Sequence, residues 1–347
     1  MAQNPYTLAF GTEPTELIPR TVANSEVIDA FSAKQPSQPL YMVTGVRGSG
    51  KTVFMTSIAS HFRSQDDWIV VELNPERNLL EDLTSKLSSQ NQLAAIFSAA
   101  KIDLSLLGFG LSLEGAAPIS NVETALQRML ESLDKKGKRV LVTIDEVTNS
   151  PQIREFAASF QIFLRQKLPI YLVMTGLYEN IYDLQNEKTL TFLYRAPRID
   201  LQPLNVGTIA TNYRATFGLD AGESLEMAKA TKGFAFAFQL LGYLTWNKDG
   251  RWRDTLPDYK QYLDELVYEK IWMDLSRGDR RILHAIATTG TKKVADIRAF
   301  LGIESNEFSP YRRRLIRKGV ITAKGRGYVA FTLPLFGDFV LENFDEG

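Results

Sequence analysis

The stretch GVRGSGKT, residues 45–52, matches the spacing G-x-x-x-x-G-K-T of a phosphate-binding loop. In such loops the glycines let backbone N–H groups surround phosphate oxygens, and the lysine reaches the terminal phosphates to assist catalysis. Residues 39–45 have the pattern of a buried strand, and residues 51–62 that of a helix with one apolar face. Because the motif requires strand, loop and helix in this order, the sequence predicts a site for ATP or ADP. The residues expected to bind the nucleotide are Gly45, Val46, Arg47, Gly48, Ser49, Gly50, Lys51, Thr52 and Val53.

The composition is that of an ordinary globular protein, with 347 residues, 44% hydrophobic content and 40 basic against 40 acidic residues. This length allows two or three domains, and the balanced charge indicates no particular partner. The chain has no cysteine and only two histidines, so we expect no disulfide and no zinc site. No segment has the pattern of a secretion signal or of 18 uninterrupted apolar residues. We therefore expect a cytoplasmic protein that does not bind a membrane.

Two acidic residues, Asp145 and Glu146, directly follow the buried run 140–144. Mg²⁺ accompanies a bound nucleotide and needs oxygen ligands at the end of a strand beside the loop. We expect Thr52 to bind Mg²⁺ directly and Asp145 to bind it partly through water. Glu146 is expected to polarise the attacking water as the general base. The alternative is an acidic turn that caps the next helix.

Further strands are predicted at residues 67–74, 169–176 and 198–204, and helices alternate with them. This alternation predicts an α/β fold with a parallel sheet. Ligands of such sheets lie at the carboxyl ends of the strands, so Thr175 is expected to reach the γ-phosphate or the attacking water. Packing within the strand is the alternative role of Thr175.

Residues 101–118 interrupt the alternation of strands and helices. Apolar residues alternate on both sides of Gly108, which predicts a β-hairpin insertion. This hairpin would serve either as a contact surface or as a cover for the edge of the sheet.

The loop, the acidic strand end and the polar fourth strand together resemble the AAA+ superfamily. The resemblance is greatest to the clade that joins archaeal origin-recognition initiator ATPases, small archaeal and bacterial winged-helix ATPases, and the STAND signal-transduction ATPases. It implies that Arg195 or Arg198 contacts a γ-phosphate, with a surface ion pair as the alternative for each. It also implies a lid helix at residues 232–246, which lacks the usual proline after Gly233. The residues that the resemblance places near the adenine are Phe10, Gly11, Ile18, Pro19 and Arg20.

From about residue 205 the apolar spacing becomes helical, as expected for a small lid. After Ser276 the sequence predicts three helices, the third capped by Ser309 with Pro310 at its first position and ended by Gly319. A hairpin around the sequence KGRG at residues 324–327 follows. Three helices and a basic hairpin form a winged helix-turn-helix.

Positive charge is concentrated in this region: residues 278–328 hold twelve Lys and Arg against four Asp and Glu, a net charge of +8. Such a surface binds the phosphates of double-stranded DNA regardless of base sequence. Docking of a protein partner, or of a second copy in a homo-oligomer, is the alternative. The residues expected to contact DNA are Arg313, Arg314, Arg317, Lys318, Lys324 and Arg326.

We therefore expect an ATPase domain at residues 1–204, a helical lid at 205–276 and a winged helix at 277–347. The predicted function is a slow ATP-hydrolysing AAA+ switch that uses Mg²⁺ and binds double-stranded DNA. The alternative is a STAND-like signalling or scaffold ATPase whose winged helix contacts protein. A nucleotide kinase would use the same loop, but the sequence contains no recognisable second-substrate site.

Overall fold

The computed structural model describes the residues 3–9, 14–34, 36, 38–108 and 119–345. Its internal contacts divide the chain into two compact units. We call Arg20–Thr44 with Lys51–Asp200 the sheet unit. We call Met1–Pro19, Gly45–Gly50 and Leu201–Gly347 together the helical unit. The predicted division into three domains is drawn from sequence patterns, and it stays a prediction.

The sheet unit contains five parallel strands in the spatial order β2, β3, β4, β1, β5. Every residue of β1 and β4 is buried, which explains why both strands are continuous apolar runs. The short β5 lies at the edge of the sheet. The strands are β1 (Leu40–Thr44), β2 (Trp68–Leu73), β3 (Arg139–Ile144), β4 (Ile170–Gly176) and β5 (Arg198–Asp200).

Seven α-helices accompany this sheet in the described part of the unit. Three of them begin at a side chain that accepts a hydrogen bond from the first turn: Asn78, Asn121 and Ser150. The apolar faces of the five helices between Leu79 and Gln185 pack with the strands into one buried core. The helices are α1 (Thr21–Ser32), α2 (Lys51–Arg63), α3 (Leu79–Ser88), α4 (Asn91–Ala99), α5 (Val122–Asp134), α6 (Pro151–Arg165) and α7 (Tyr178–Gln185).

The helical unit has its own core, which joins the predicted lid to the C-terminal region. In the lid, one long helical pattern is divided by a π-helical turn, Asp264–Tyr268. The lid helices are α8 (Val206–Phe217), α9 (Ala221–Ala230), α10 (Ala235–Trp246), α11 (Leu256–Leu263) and α12 (Glu269–Met273).

The C-terminal region contains three helices followed by an antiparallel pair of strands, which is the arrangement of a winged helix. Backbone bonds from Val294 to Gly327 and from Val329 to Lys292 add a short third segment to the wing. A further helix packs on the first one. The elements are α13 (Arg277–Thr289), α14 (Val294–Leu301), α15 (Ser305–Arg317), β6 (Ile321–Ala323), β7 (Val329–Phe331) and α16 (Phe336–Asn343).

The predicted start of the third helix at Ser309 is wrong by one turn. Glu304 caps α15, because its carboxylate and that of Glu307 accept backbone N–H groups from each other's residues. Burial of Phe308 holds this extra turn against the core. Pro310 therefore lies inside the helix instead of at its first position.

The predicted fold class is confirmed: a parallel P-loop sheet, a helical lid and a C-terminal winged-helix region. Of the predicted hairpin at 101–118, Ser105–Leu107 form a turn of 3-10 helix, and residues 109–118 lie outside the described residues. The hairpin stays a prediction. Within the described ranges, no helix has the length and apolar content needed to cross a bilayer.

Candidate nucleotide site and candidate nucleic-acid interface

Asp145 is the centre of a polar cluster at the carboxyl ends of β3 and β4. Because the strands are parallel and Ile144 pairs with Met174, Asp145 and Thr175 follow at neighbouring positions. The hydroxyl of Thr52, in the first turn of α2, donates to Oδ2 of Asp145 at 2.6 Å. The hydroxyl of buried Thr175 donates to Oδ1 of the same carboxylate. The sheet thus brings together three residues that the sequence separates widely.

Glu146 has a left-handed backbone, with φ of +53°. A side chain in this region costs on the order of 1–3 kcal/mol, so the surrounding structure must hold it. Its N–H donates to Oδ1 of Asp145 at 3.0 Å and lies 3.3 Å from the hydroxyl oxygen of Thr175. These bonds hold the backbone of Glu146, whose side chain is exposed at the carboxyl edge of the sheet.

The oxygen atoms of this cluster fit Mg²⁺. Magnesium binds through one or two carboxylates and completes its shell with water and phosphate oxygens. The Asp145 carboxylate and the Thr52 hydroxyl offer oxygen atoms of this kind, 2.6 Å apart. Lys51 is the first residue of α2 and is largely buried. It therefore places a positive charge at a helix N-terminus, where anions are favoured.

The loop Gly45–Gly50, which leads into α2, has a backbone that only glycine accommodates at several positions. Gly48 and Gly50 have φ of +79° and +88°. A Cβ at Gly45 would lie 2.3 Å from the Ser49 hydroxyl, which folds back over it. The Ser49 N–H donates to the Val46 carbonyl at 3.0 Å and closes the turn.

The start of the lid helix α10 contacts this loop directly. The Phe236 N–H belongs to the first turn of α10 and has no partner within the helix; it donates to the Gly48 carbonyl at 3.0 Å. The Phe234 ring covers Gly48, where a Cβ would approach the ring to 2.7 Å. A backbone contact therefore connects lid and loop, although the usual proline is missing.

The residues that the resemblance places near the adenine are only partly described. Phe10 and Gly11 lie outside the described residues. Ile18 is buried in the core of the helical unit, and Pro19 is exposed. Arg20 precedes α1 and is half-buried, and this burial lowers the pKa of its guanidinium. Their role at the base stays a prediction.

The two candidate arginines have different surroundings. Arg198 pairs with Asp200 at 3.0 Å and stacks on the Tyr178 ring, 4.6 Å from its centroid. Asp200 also accepts the hydroxyl of Thr44, at the end of β1. Arg195 ends an exposed 3-10 turn and forms no ion pair with the residues that the structure describes. Arg195 is thus the more available of the two, and Arg198 is held by its own strand.

The predicted DNA-contacting residues differ in their exposure to solvent. Arg313 and Arg317 are exposed on α15. Lys318 is partly buried, and its ammonium donates to the Asp274 carbonyl at 3.3 Å. Lys324 and Arg326 are exposed in the wing.

Arg314, one of the predicted DNA-contacting residues, forms an ion pair with a buried carboxylate of the winged helix. Its guanidinium lies 2.7 Å from Oδ1 of Asp279, which is only 1% exposed. It also packs over the Tyr311 ring. Asp279 forms a capping box with Ser276 at the start of α13, and this S-x-x-D pattern is visible in the sequence. The pairing of Asp279 with Arg314 was not predicted from the sequence.

Two family models match parts of the chain. Residues 28–165 match an ATPase domain found predominantly in Archaea. Residues 265–340 match a domain of unknown function. No curated protein matches the sequence.

Solved structures share the fold over almost the whole chain. A Walker-type ATPase of Pyrococcus abyssi has a TM-score of 0.66 and 18% identity, over 94% of this chain and 96% of that one. The ORC2 protein of Aeropyrum pernix, in its ADPNP–ADP complexes, has a TM-score of 0.65 and 13% identity, over 96% and 95%. At these identities the likeness is one of fold. Together with the match of residues 28–165 to the ATPase model, this shared fold confirms the predicted resemblance.

Proposed function

We propose that this chain is a slow ATP-hydrolysing switch that binds double-stranded DNA through its winged helix. The observation that carries the ATPase half is the polar cluster in which Thr52 and Thr175 both donate to Asp145. This cluster stands at the strand ends where ligands of parallel sheets bind.

In the proposed reaction, residues of the loop and Lys51 bind the triphosphate. Glu146 accepts a proton from water as the water oxygen bonds to the γ-phosphorus, and the bond to ADP breaks. Thr52 and Asp145 are the residues that would hold Mg²⁺, which when bound neutralises charge on the phosphate oxygens. Thr175 positions Asp145 and the backbone of Glu146. The exposed guanidinium of Arg195 is available to a phosphate of a neighbouring copy.

The DNA half of the proposal is supported by the exposed cations of the winged helix. Arg313 and Arg317 project from α15, and Lys324 and Arg326 project from the wing. Each phosphate contact releases condensed counterions, so the affinity for a duplex should fall steeply with salt. Arg314 is not counted among these contacts, because it neutralises buried Asp279.

The first test measures phosphate release and nucleotide binding by the intact chain. Glu146→Gln should lower hydrolysis by about 10²–10⁴-fold and leave ATP binding intact, because it removes a proton acceptor and keeps the shape. Lys51→Ala should weaken binding itself. Hydrolysis at the wild-type rate in Glu146→Gln would remove that residue from its role, and undiminished binding in Lys51→Ala would contradict the loop assignment.

The second test measures fluorescence anisotropy of a labelled random duplex over a range of salt concentrations. Arg313→Ala and Arg317→Ala should each weaken binding and reduce the salt slope by about one. Arg314→Ala is the matched neighbour: it should lower the melting temperature more than Arg313→Ala, because Asp279 is left buried without its cation. Equal duplex binding by wild type and the double variant Arg313→Ala/Arg317→Ala would overturn the DNA proposal and direct the search to a protein partner or a second copy.

A further inference from the structure

The C-terminal end of α15 contacts the phosphate-binding loop within the helical unit. Gly319 follows the helix with φ of +74°, and a Cβ built on it would lie 3.3 Å from Cβ of Val46. This distance is shorter than an ordinary van der Waals contact between carbon atoms. The space between Gly319 and Val46 is therefore too small for a side chain at position 319 without a shift of its neighbour.

Asp274 makes a second connection between the same two elements. Its carboxylate lies 4.0 Å from the guanidinium of Arg47 in the loop. Its carbonyl accepts from the ammonium of Lys318, the residue before Gly319. The side chain and the main chain of one residue therefore reach the loop and the last turn of α15 respectively. Both side chains of this ion pair are substantially exposed, so the pair contributes little to stability and serves mainly to orient Arg47.

We propose that the winged helix positions the phosphate-binding loop, directly through Gly319 and indirectly through Lys318 and Asp274; Gly319 and Asp274 are the positioning residues. The lid holds Gly48 through the Phe236 N–H. Gly319 lies against Val46, and Asp274, which follows α12, pairs with Arg47 and accepts from Lys318. The conformation that the loop N–H groups present to phosphates is then set jointly by lid and winged helix. A ligand that binds to α15 then changes the affinity of the loop for nucleotide through this contact.

This inference deepens the proposed function and rests on it for the nature of the ligand on α15. Arg317 lies in the last turn of α15, two residues before Gly319, so a duplex bound to this cation acts on the residue that contacts the loop. Linkage makes the effect reciprocal: if DNA changes the nucleotide Kd by some factor, the nucleotide changes the DNA Kd by the same factor.

The test compares Gly319→Ala with Gly302→Ala in the full chain. Gly302 also follows a helix, at φ of +64°, but a Cβ there meets no atom within 4 Å. Both variants carry the same left-handed strain, and only Gly319→Ala presses on Val46. We expect Gly319→Ala to weaken binding of fluorescent ADP about tenfold, a typical effect of overpacking, and Gly302→Ala to change it less than about twofold. Equal nucleotide affinities in the two variants would overturn the proposal.

A double-mutant cycle shows whether the effect passes through Val46. Val46→Gly removes the Cβ that the new methyl group would meet. In the Val46→Gly background, Gly319→Ala should therefore act no more strongly than Gly302→Ala. If the tenfold effect persists unchanged in that background, Gly319 acts through another contact and the proposal fails. Circular dichroism melts confirm that every variant is folded at the temperature of the binding assay.

A third measurement separates this inference from the proposed function. The nucleotide Kd of wild type is determined with and without a saturating duplex. A duplex that binds but leaves the nucleotide Kd unchanged overturns the coupling and leaves DNA binding standing. Conversely, a chain that shows the Gly319→Ala effect but never hydrolyses ATP retains the positioning role and loses the proposed ATPase activity.

Discussion

At the scale of single residues, Asp145 has three donors within hydrogen-bond distance. Two hydroxyls and the Glu146 N–H point at its carboxylate. These three hydrogen bonds fix the orientation of the carboxylate. Thr175 contributes twice, since its hydroxyl donates to Asp145 and lies 3.3 Å from the N–H of Glu146. The loss of this one hydroxyl should therefore disturb both acidic residues.

Thr175→Val keeps the shape of the side chain and removes the hydroxyl. We expect hydrolysis to fall about 10- to 100-fold, as is typical when a residue that orients a metal ligand is lost. Thr175→Ser should recover most of the rate, because the hydroxyl returns. Steady-state phosphate release at saturating ATP and Mg²⁺ measures the change.

Thr143→Val is the matched control for this substitution. Thr143 is also a buried threonine, two residues before Asp145 on β3, and its hydroxyl lies outside the cluster. This variant should hydrolyse ATP within about twofold of wild type, because the hydroxyls that donate to Asp145 are those of Thr52 and Thr175. If both valine variants lose activity alike, the loss reflects packing of the sheet and Thr175 has no positioning role.

The sequence alone predicted that Thr52, Asp145 and Thr175 lie in one site, because motif spacing and strand ends are local features. The hydrogen bonds to Asp145 bring the three together, and their roles stay predictions. The left-handed backbone of Glu146 was not predictable. It follows from hydrogen bonds to Thr175, which lies 29 residues further along the chain. The pairing of Arg314 with Asp279 was missed for the same reason, since helical projection describes one helix and not its neighbours.

At the scale of elements, the first turn of α10 is the part of the lid that touches the loop. The first N–H groups of a helix have no acceptor within the helix. In α10 the N–H of Phe236 donates to the Gly48 carbonyl. The residue before it, Ala235, is the first of the helix, where proline fits without loss of a hydrogen bond.

Two adjacent proline substitutions test this contact. Phe236→Pro removes the N–H that binds Gly48 and should weaken nucleotide binding about fivefold, the equivalent of one net hydrogen bond. Ala235→Pro should stay within about twofold of wild type, because position 235 tolerates proline. Fluorescent nucleotide titration measures both affinities.

Phe236→Ala is the control for the lost aromatic ring, since it retains the N–H. If Phe236→Ala weakens nucleotide binding as much as Phe236→Pro does, the ring supports the loop and the backbone bond does not.

The elements themselves were largely predictable. The five strands follow from buried apolar runs, and most helices follow from apolar spacing and caps. The start of α15 was misplaced because Ser309 and Pro310 form a strong local start signal, which burial of Phe308 overrides. Helix α16 was not predicted, since it begins at Leu335 without a side-chain cap and is held by packing of its phenylalanines.

At the scale of the whole molecule, the helical unit buries four tyrosines in its core. Burial raises the pKa of each hydroxyl above its usual range, because the phenolate is poorly solvated there. The hydroxyls donate to acceptors of the same unit, among them the Phe238 carbonyl at 2.7 Å. The four residues are Tyr6, Tyr213, Tyr259 and Tyr268.

These shifts predict a loss of stability at alkaline pH. An unfolded tyrosine loses its proton at about pH 10, whereas the folded one retains it, so the stabilising contribution is complete below that pH and declines above it. Each tyrosine should lower the free energy of unfolding by about 1.4 kcal/mol per pH unit. Urea unfolding at a series of alkaline pH values measures the slope.

Tyr259→Phe should make the slope of unfolding free energy against pH shallower by the contribution of one tyrosine. Identical slopes in wild type and Tyr259→Phe would show that the buried hydroxyl does not set the alkaline limit.

The assignment of the loop Gly45–Gly50 to the helical unit was beyond sequence reasoning. The motif places the loop between β1 and α2, and its flanking residues belong to the sheet unit. Its contacts with Phe234, Phe236 and Gly319 come from residues about 190 to 270 positions away. No local pattern encodes contacts of such separation.

The discontinuity of the helical unit also has a consequence during synthesis on the ribosome. The sheet unit is complete once residue 200 has been made, but Tyr6 must wait for Gly242, against which its ring packs. At the usual rate of about 5–20 residues per second, the sheet can form while the N-terminal segment and the loop still lack their partners. A nascent chain stalled after residue 200 has left the exit tunnel should therefore contain a folded sheet without a finished phosphate-binding loop. The ability to hold nucleotide would then be acquired last, when the C-terminal residues leave the exit tunnel.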